Sequence, residues 1–291
     1  MGSSRSLLSN NDSTTSLLSV SEHRPIYVFV FAHPDDESMF FLPTVRWLVD
    51  KGETVWFLCL TTGNYDGLGT IREIELQKAG KLLGAANVIV RNDDPGNNKT
   101  SILDHPTKRH DKAAVARAIR ESLSSKRNRR ESIHNHHRFV LVTFDEKGVS
   151  GHVNHTDVYH GVVHLMEEEE EEETMVVSRR LARGKGKTQK EEEHDDSLVL
   201  LEAWYLESER NILAKYIPLL SWMILLLSYF SANLISTKAT TMNDERIYRM
   251  HNPRLNWMAM ATHRSQFVWY RRLFVIFSCY TYKNKMTCYR N

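Results

Sequence analysis

The sequence predicts an α/β protein on a Rossmann-like, doubly wound and mainly parallel sheet, with helices on both faces. Three observations carry that expectation. Four apolar, β-branched or aromatic runs are each followed by a segment with helical spacing, the alternation that builds a parallel sheet through crossover helices. Polar clusters rich in His and Asp stand directly after the first and fourth runs, where the carboxyl ends of parallel strands open onto ligand sites. The 291 residues are 41% hydrophobic and 25% charged, which excludes collagen-like, fully disordered and polytopic membrane chains.

Taken in order, residues 1–25 are rich in Ser and Asn and hold no apolar run of signal-peptide or anchor length, so a disordered tail is expected. Met1-Gly2-Ser3-Ser4-Arg5-Ser6 also fits the pattern for myristoylation of Gly2. Pro25 introduces Ile26-Tyr27-Val28-Phe29-Val30-Phe31, a buried first strand. Residues 36–50 set Met39, Phe40, Val45, Leu48 and Val49 at helical spacing and stop at Gly52, with Pro43 inside. A second strand over 54–60 runs into a loop, Thr61 to Gly67 by composition, and then a helix over 70–83. A third strand over 87–90, a third helix over 110–122 and a fourth strand over 139–144 follow. Residues 148–155 read as a loop leading into a helix through Leu165.

Seven consecutive glutamates, 167–173, then precede a basic stretch (Arg179, Arg180, Arg183, Lys185, Lys187) and a second acidic cluster ending at Asp196. Blocks of like charge repel and bury no apolar area, so 167–196 is expected to be a disordered charged insertion within one domain spanning 26–291. Residues 197–205 restart the sheet. Residues 217–230 are as apolar as a membrane span, but Pro218, Ser221 and Ser228 interrupt them, and Lys215 and Asn233 bracket them short of the roughly 20 residues a span needs. A core helix or an interfacial segment is expected. Residues 273–282 read as a last strand or as a surface resting on lipid, with Arg271, Arg272, Lys283 and Lys285 meeting head groups.

Lys+Arg 38 against Asp+Glu 36 gives a net charge of +2, too little for a global field that grips nucleic acid. Residues 126–130 hold four basic side chains without interleaved aromatics, which suits a solvated helix end, so no nucleic-acid partner is expected. Cys59, Cys279 and Cys288 are scattered and odd in number. They supply neither a disulfide framework nor a thiolate zinc site, which favours a reducing compartment.

The sharpest chemical signal is His33-Pro34-Asp35-Asp36-Glu37 at the end of the first strand. A His and carboxylates this close can place one nitrogen and one oxygen on a divalent ion and leave a second carboxylate beside the bound water. The same residues could also form a turn in which Asp caps the next helix. Ser150-Gly151-His152-Val153-Asn154-His155 follows the fourth strand, at the same sheet edge, and adds two histidines three residues apart. One His, one Asp and a further His make a three-ligand site with a position left for water, as a catalytic zinc requires. Loop histidines satisfied by local hydrogen bonds are the alternative for His152 and His155 taken singly.

Ala32-His33-Pro34-Asp35-Asp36-Glu37, Gly63-Asn64-Tyr65 with Arg72-Glu73-Ile74-Glu75-Leu76, Thr143-Phe144-Asp145 through Gly148 to His155, and His263-Arg264-Ser265-Gln266 together resemble the PIG-L (LmbE-like) family of zinc-dependent de-N-acetylases, over about residues 26–282. The Gly-Val-Ser-Gly-His-x-Asn-His form and the closing Trp269-Tyr270-Arg271-Arg272-Leu273 are similar to its glycolipid branch. The resemblance implies that His33, Asp36 and His155 hold Zn2+ or another divalent metal and that Asp35 is the general base. It implies that His152 stabilises the oxyanion or protonates the leaving amine, and that Arg72 and His263 stand at the substrate.

The implied reaction is hydrolysis of the N-acetyl group of N-acetylglucosaminyl-phosphatidylinositol to give glucosaminyl-phosphatidylinositol, the second step of GPI-anchor biosynthesis. The implied partners are that glycolipid and the membrane surface, at the cytoplasmic face of the endoplasmic reticulum. Asn154-His155-Thr156 is an N-glycosylation sequon inside the expected site, which argues for that face. Members of this branch typically begin with a spanning anchor helix; none is evident in residues 1–25, so peripheral or shallow attachment is expected. The stretch 92–107, which contains Asp93-Asp94-Pro95, departs from the family pattern, and no substrate contact is assigned there. A soluble acetylated sugar as substrate, or a non-catalytic scaffold of the same fold, are the alternatives; the presence of every expected ligand and the base counts against the scaffold.

Overall fold

The computed structural model describes residues 24–92, 102–125, 138–182, 199–216 and 244–289. Its strands are β1 (Ile26–Phe31), β2 (Thr54–Cys59), β3 (Asn87–Val90), β4 (Arg138–Phe144), β5 (Val199–Leu206), β6 (Asp244–Arg249) and β7 (Lys283–Tyr289). They form one sheet in the order β3-β2-β1-β4-β5-β7-β6. The first five pair in parallel, and β7 runs antiparallel to both β5 and β6. Because β1 lies between β2 and β4, the chain winds outward to one side and then returns to the other. The carboxyl ends of β1 and β4 therefore flank a topological switch point, where an open α/β sheet leaves a crevice for ligands.

Alternation along β1 feeds two cores. Phe29 and Phe31 pack with Phe41, Val45, Leu48 and Phe57 on one face, whereas Val28 and Val30 pack with Val115, Ile119, Val158 and Val162 on the other. The first face carries α1 (Leu42–Asp50) and α2 (Gly69–Leu83), and the second α3 (Lys112–Ser124) and α4 (Val153–Ala182). Later in the chain α5 (Pro253–Thr262) and α6 (Trp269–Phe277) join the first face through Ala259 and Phe274. Pro43 is accommodated because a π-helical turn, Glu37–Phe41, precedes α1 and leaves the proline in its first turn, where a missing N–H costs nothing. The Asp111 carboxylate caps α3 by accepting the Ala114 N–H at 3.2 Å.

Two expectations are corrected. The glutamates 167–173 are not unfolded: α4 continues through them to Ala182. Arg120 of α3 donates to Glu168 and Glu169 at 3.1 and 2.7 Å, and the His164 ring stands 3.3 Å from Glu168 one turn earlier. Partial neutralisation, together with the good helix propensity of Glu, outweighs repulsion within the run. Residues 183–198 of the expected insertion lie outside the described residues. The stretch 273–282 is not a strand either, since α6 ends at Phe277 and β7 begins only at Lys283. The tail 1–23 with Gly2, the basic residues 126–130 and the apolar residues 217–230 also lie outside the described residues. Among the described residues no helix is long and apolar enough to cross a membrane.

The approach of α4 to α3 rests on Gly161, where an added Cβ would come within 2.2 Å of Val115 Cγ1. Gly161→Val is expected to destabilise the fold by about 1–3 kcal/mol through overpacking, read as a lowered denaturant midpoint. An unchanged midpoint would show that the two helices do not pack this closely.

Candidate functional site

The loops after β1 and β4 meet at the switch point, and Asp36 joins them. Its Oδ2 accepts the N–H groups of Ala32 and His33 at 3.2 and 2.8 Å. It makes no side-chain cap to the following helix, so the N-cap alternative is not realised. The same carboxylate stands 3.6 Å from His33 Nδ1 through Oδ2 and 3.3 Å from His155 Nε2 through Oδ1.

His155 is fixed from behind. Its Nδ1 lies 2.9 Å from the Gly148 carbonyl, and its ring stacks on Phe144 with centroids 4.1 Å apart. An Nδ1–H donated to that carbonyl leaves the Nε2 lone pair facing Asp36, the arrangement that orients a metal-ligating histidine. Gly148 has φ +57, and a Cβ there would lie 2.7 Å from His155 Cβ, so this position needs glycine. Val149 follows at φ 63, a costly conformation for a β-branched residue. Ser208 Oγ accepts its N–H at 2.8 Å, Lys215 Nζ donates to its carbonyl at 2.7 Å, and Asp145 holds Ser208 in turn.

His33, His152 and His155 offer ring nitrogens that all lie within 4.8 Å of one another. His33 Nε2 is also 3.1 Å from Asp104 Oδ1 and 3.0 Å from Asn154 Nδ2. Burial would depress His33, but hydrogen bonds to Asp104 and Asp36 raise it to about 9. Burial likewise opposes ionisation of Asp36, yet His155 and His33 hold it well below the usual carboxylate range. Among the described residues no ion pair joins His152 to a carboxylate, and burial followed by repulsion from His33 and His155 lowers it to about 4. The pocket thus favours positive charge between the β1 and β4 loops. Its donors are imidazoles and a carboxylate, with the buried Asn154 Oδ1 beside them lacking a hydrogen-bond partner. That donor set fits zinc or a similar divalent ion.

Asp35 points the other way, with a positive φ of 127 and its N–H donated to Glu37 Oε2 at 3.1 Å. Its carboxylate lies between Arg72 Nη2, at 3.3 Å, and a close contact with Arg271 Nη1. Burial pushes its pKa up against the pull of Arg271 and Arg72. Arg72 further donates to the carbonyls of Gly63 and Pro34 at 3.0 and 2.9 Å, joining the loops after β1 and β2. Glu37 pairs with His263 Nε2 at 2.6 Å, both side chains fully buried. Glu75 accepts the Ser265 N–H and hydroxyl at 2.8 and 2.6 Å.

Of the expected residues, His33, Asp36, His152 and His155 come together, and Asp35 adjoins them through the backbone with its carboxylate held by Arg72 and Arg271. The other two stand differently from expectation. His263 is 0% exposed behind Glu37, and Arg72, 8% exposed, directs its Nη1 and Nη2 donors to Asp35 and two carbonyls. Both are supports of the Asp35–Glu37 turn rather than groups open to a substrate. Arg271, expected at lipid head groups, instead turns inward to Asp35, and Lys285 pairs with Glu207 and Glu245 at 2.7 and 3.2 Å. Sequence reasoning missed Asp104, Arg271 and Glu37 as site groups. Asp104 lies in the stretch that departs from the family pattern, where no local signal marks it.

The family profile described as PIG-L, GlcNAc-PI de-N-acetylase, matches residues 28–166. A probable N-acetylglucosaminyl-phosphatidylinositol de-N-acetylase of Schizosaccharomyces pombe is 30% identical over 88% of this chain and 84% of its own. The N-acetylglucosaminyl-phosphatidylinositol de-N-acetylase of Bos taurus is 30% identical over 89% of this chain and 81% of its own. Among solved structures, N,N'-diacetylchitobiose deacetylase from Pyrococcus horikoshii superposes with a TM-score of 0.51 at 16% identity, covering 91% of this chain and 83% of that one, and so shares the fold. With that identity extending over most of both chains, and with the His-Asp cluster of the matched region assembled at the switch point, the chain belongs to the PIG-L family of de-N-acetylases.

Proposed function

We propose that the chain hydrolyses the N-acetyl group of N-acetylglucosaminyl-phosphatidylinositol, releasing acetate and glucosaminyl-phosphatidylinositol, the second step of GPI-anchor biosynthesis. The observation that carries this reading is a buried carboxylate, Asp35, adjoining a cluster of imidazoles and a second carboxylate that favours a cation. In this reading His33, Asp36 and His155 hold Zn2+. When bound, such an ion polarises an amide carbonyl and brings the pKa of water toward about 7.

The chain's own groups then divide the work. Asp35 takes the proton of the attacking water; Arg72 and Arg271 fix where its two oxygens stand, and burial raises its basicity. His152, kept neutral, receives the Asn154 N–H at Nδ1 over 3.3 Å, so its proton resides on Nε2. That N–H can meet the charge developing on the carbonyl oxygen, and the proton that Asp35 has taken from the water is then available to the departing amine. The strained Gly148-Val149 turn places the carbonyl that orients His155.

The cytoplasmic face of the endoplasmic reticulum suits the same residues. Asn154, the sequon asparagine, is 4% exposed within the cluster, so a glycan on it would be incompatible with the site. Cys59, Cys279 and Cys288 are buried thiols, which agrees with a reducing compartment. The test of the reaction is purified protein with N-acetylglucosaminyl-phosphatidylinositol, with and without a chelator, followed by mass spectrometry. Loss of acetyl that stops with chelator is expected; turnover of soluble acetylated sugars alone would replace this substrate.

Two substitutions test the roles. Asp35→Asn should retain bound metal by elemental analysis while turnover falls about 100-fold or more; loss of metal would mean the roles of the two aspartates are exchanged. His155→Ala should lose metal, whereas His152→Ala should keep it and work slowly. Equal metal loss in both would make the three histidines the ligand set instead.

A further inference from the structure

The helix that carries Arg271 into the site leaves its other side bare. On α6, Trp269, Leu273, Ile276 and Phe277 recur at spacings of three, four and eight, which places them on one face, and they are 71%, 45%, 43% and 49% exposed. Val275 is buried on the opposite side, where Arg271 reaches Asp35. The apolar surface continues onto α5, since the exposed Trp257 meets Phe267 edge-on at 4.9 Å and the Arg272 guanidinium covers that Phe267 ring at 5.1 Å. Tyr216, also exposed, stands 6.5 Å from the Phe274 ring of α6. A contiguous exposed face of this kind marks an interaction surface.

Charge identifies the occupant. Residues 250–291 contain no Asp or Glu, in a chain whose net charge is only +2, and Arg254, Arg264 and Arg272 are exposed on α5, the α5–α6 turn and α6. Aromatic side chains at the rim, arginines around them and no acids is the chemistry of an anionic lipid–water interface. We propose that the outward face of α6 and the adjoining part of α5 dock on an anionic bilayer, so that the helix inserted in the interface on one side touches Asp35 on the other. Docking in this position brings the lipid-borne sugar to the site without extracting its acyl chains, a consequence that rests on the glycolipid reading above.

The test uses the full chain and sedimentation with vesicles of phosphatidylcholine, with or without phosphatidylinositol, containing no substrate. Wild type should sediment with the phosphatidylinositol vesicles, and the triple variant Trp269→Ser, Leu273→Ser, Phe277→Ser about tenfold or more weakly. Arg264→Glu with Arg272→Glu should abolish the preference for the anionic vesicles, and keeps the test open if the serine variant fails to fold. On a water-soluble glycan head group, N-acetylglucosaminyl-inositol phosphate, wild type and serine variant should turn over equally; on the vesicle-borne glycolipid the variant should be slower. Undiminished sedimentation of both variants would overturn the proposal and assign the face to a protein partner. So would failure of wild type to bind vesicles, or equal loss of turnover on soluble and vesicle substrates. Sedimentation is read without turnover, so a chain that docks through α6 yet releases no acetate contradicts the proposed reaction and leaves the docking surface standing.

Discussion

One buried carboxylate sets the arrangement on which the rest of the site depends. Asp36 is held by two backbone N–H groups at the end of β1, and its oxygens reach His33 and His155 from the loops after β1 and β4. A charge in that position is tolerated only with partners of opposite sign or strong hydrogen-bond donors around it. The fold supplies them from its switch point, where two loops that are far apart in sequence open side by side. The same requirement makes the cluster receptive to a cation, because a proton and a divalent ion compete for one negative potential.

Around Asp36 lies a layer of compensated charge that fastens the C-terminal third of the chain to its first motif. Glu37 with His263, Asp35 with Arg271 and Glu75 with Ser265 are all long-range pairs. Asn284 of β7 completes the clasp by accepting from Thr44 N–H and Oγ1 at 3.1 and 2.9 Å and donating to the Phe40 carbonyl at 2.7 Å. Each pair leaves one charged or polar group stranded if its partner is removed, so the base, its supports and the late elements form one unit. Helix α6 belongs to that unit through Arg271, which is why its exposed side bears on how substrate arrives.

Strands β1, β2 and β4 were legible because each is an apolar run largely buried on both faces, and half-buried edge strand β3 because it is a short β-branched run; their ends are marked by Gly, Pro or polar clusters. The His33–Glu37 and His152–His155 motifs were legible for a related reason: ligands drawn from short local spacings survive as sequence patterns. The supporting contacts were not, since Arg271 and His263, though they sit in motifs the resemblance picks out, are 236 and 226 residues from the groups they hold and nothing local shows which groups those are. Residues 273–282 deceived because they cut across element boundaries: Arg271 and Arg272, which mark the polar side of α6, precede the stretch, α6 ends at Phe277, and Leu273 to Phe277 taken alone is apolar throughout. In β7 the alternation of buried Asn284, Met286 and Cys288 with Lys283, Lys285 and Thr287 is a strand signal that the apolar run before it masked. The glutamates were misread because repulsion is visible in sequence and the neutralising Arg120 of a neighbouring helix is not.

The central claim is that Asp36, and not the histidines alone, makes the cation site by joining the two loops. The most direct measurement is the metal content of Asp36→Asn against wild type, purified side by side and analysed per chain by elemental analysis, with unfolding followed to show that the variant is folded. The account predicts near-stoichiometric metal in wild type and a folded variant that retains little. A folded Asp36→Asn protein carrying metal at the wild-type level would contradict it, and would hand the site to His33, His152 and His155.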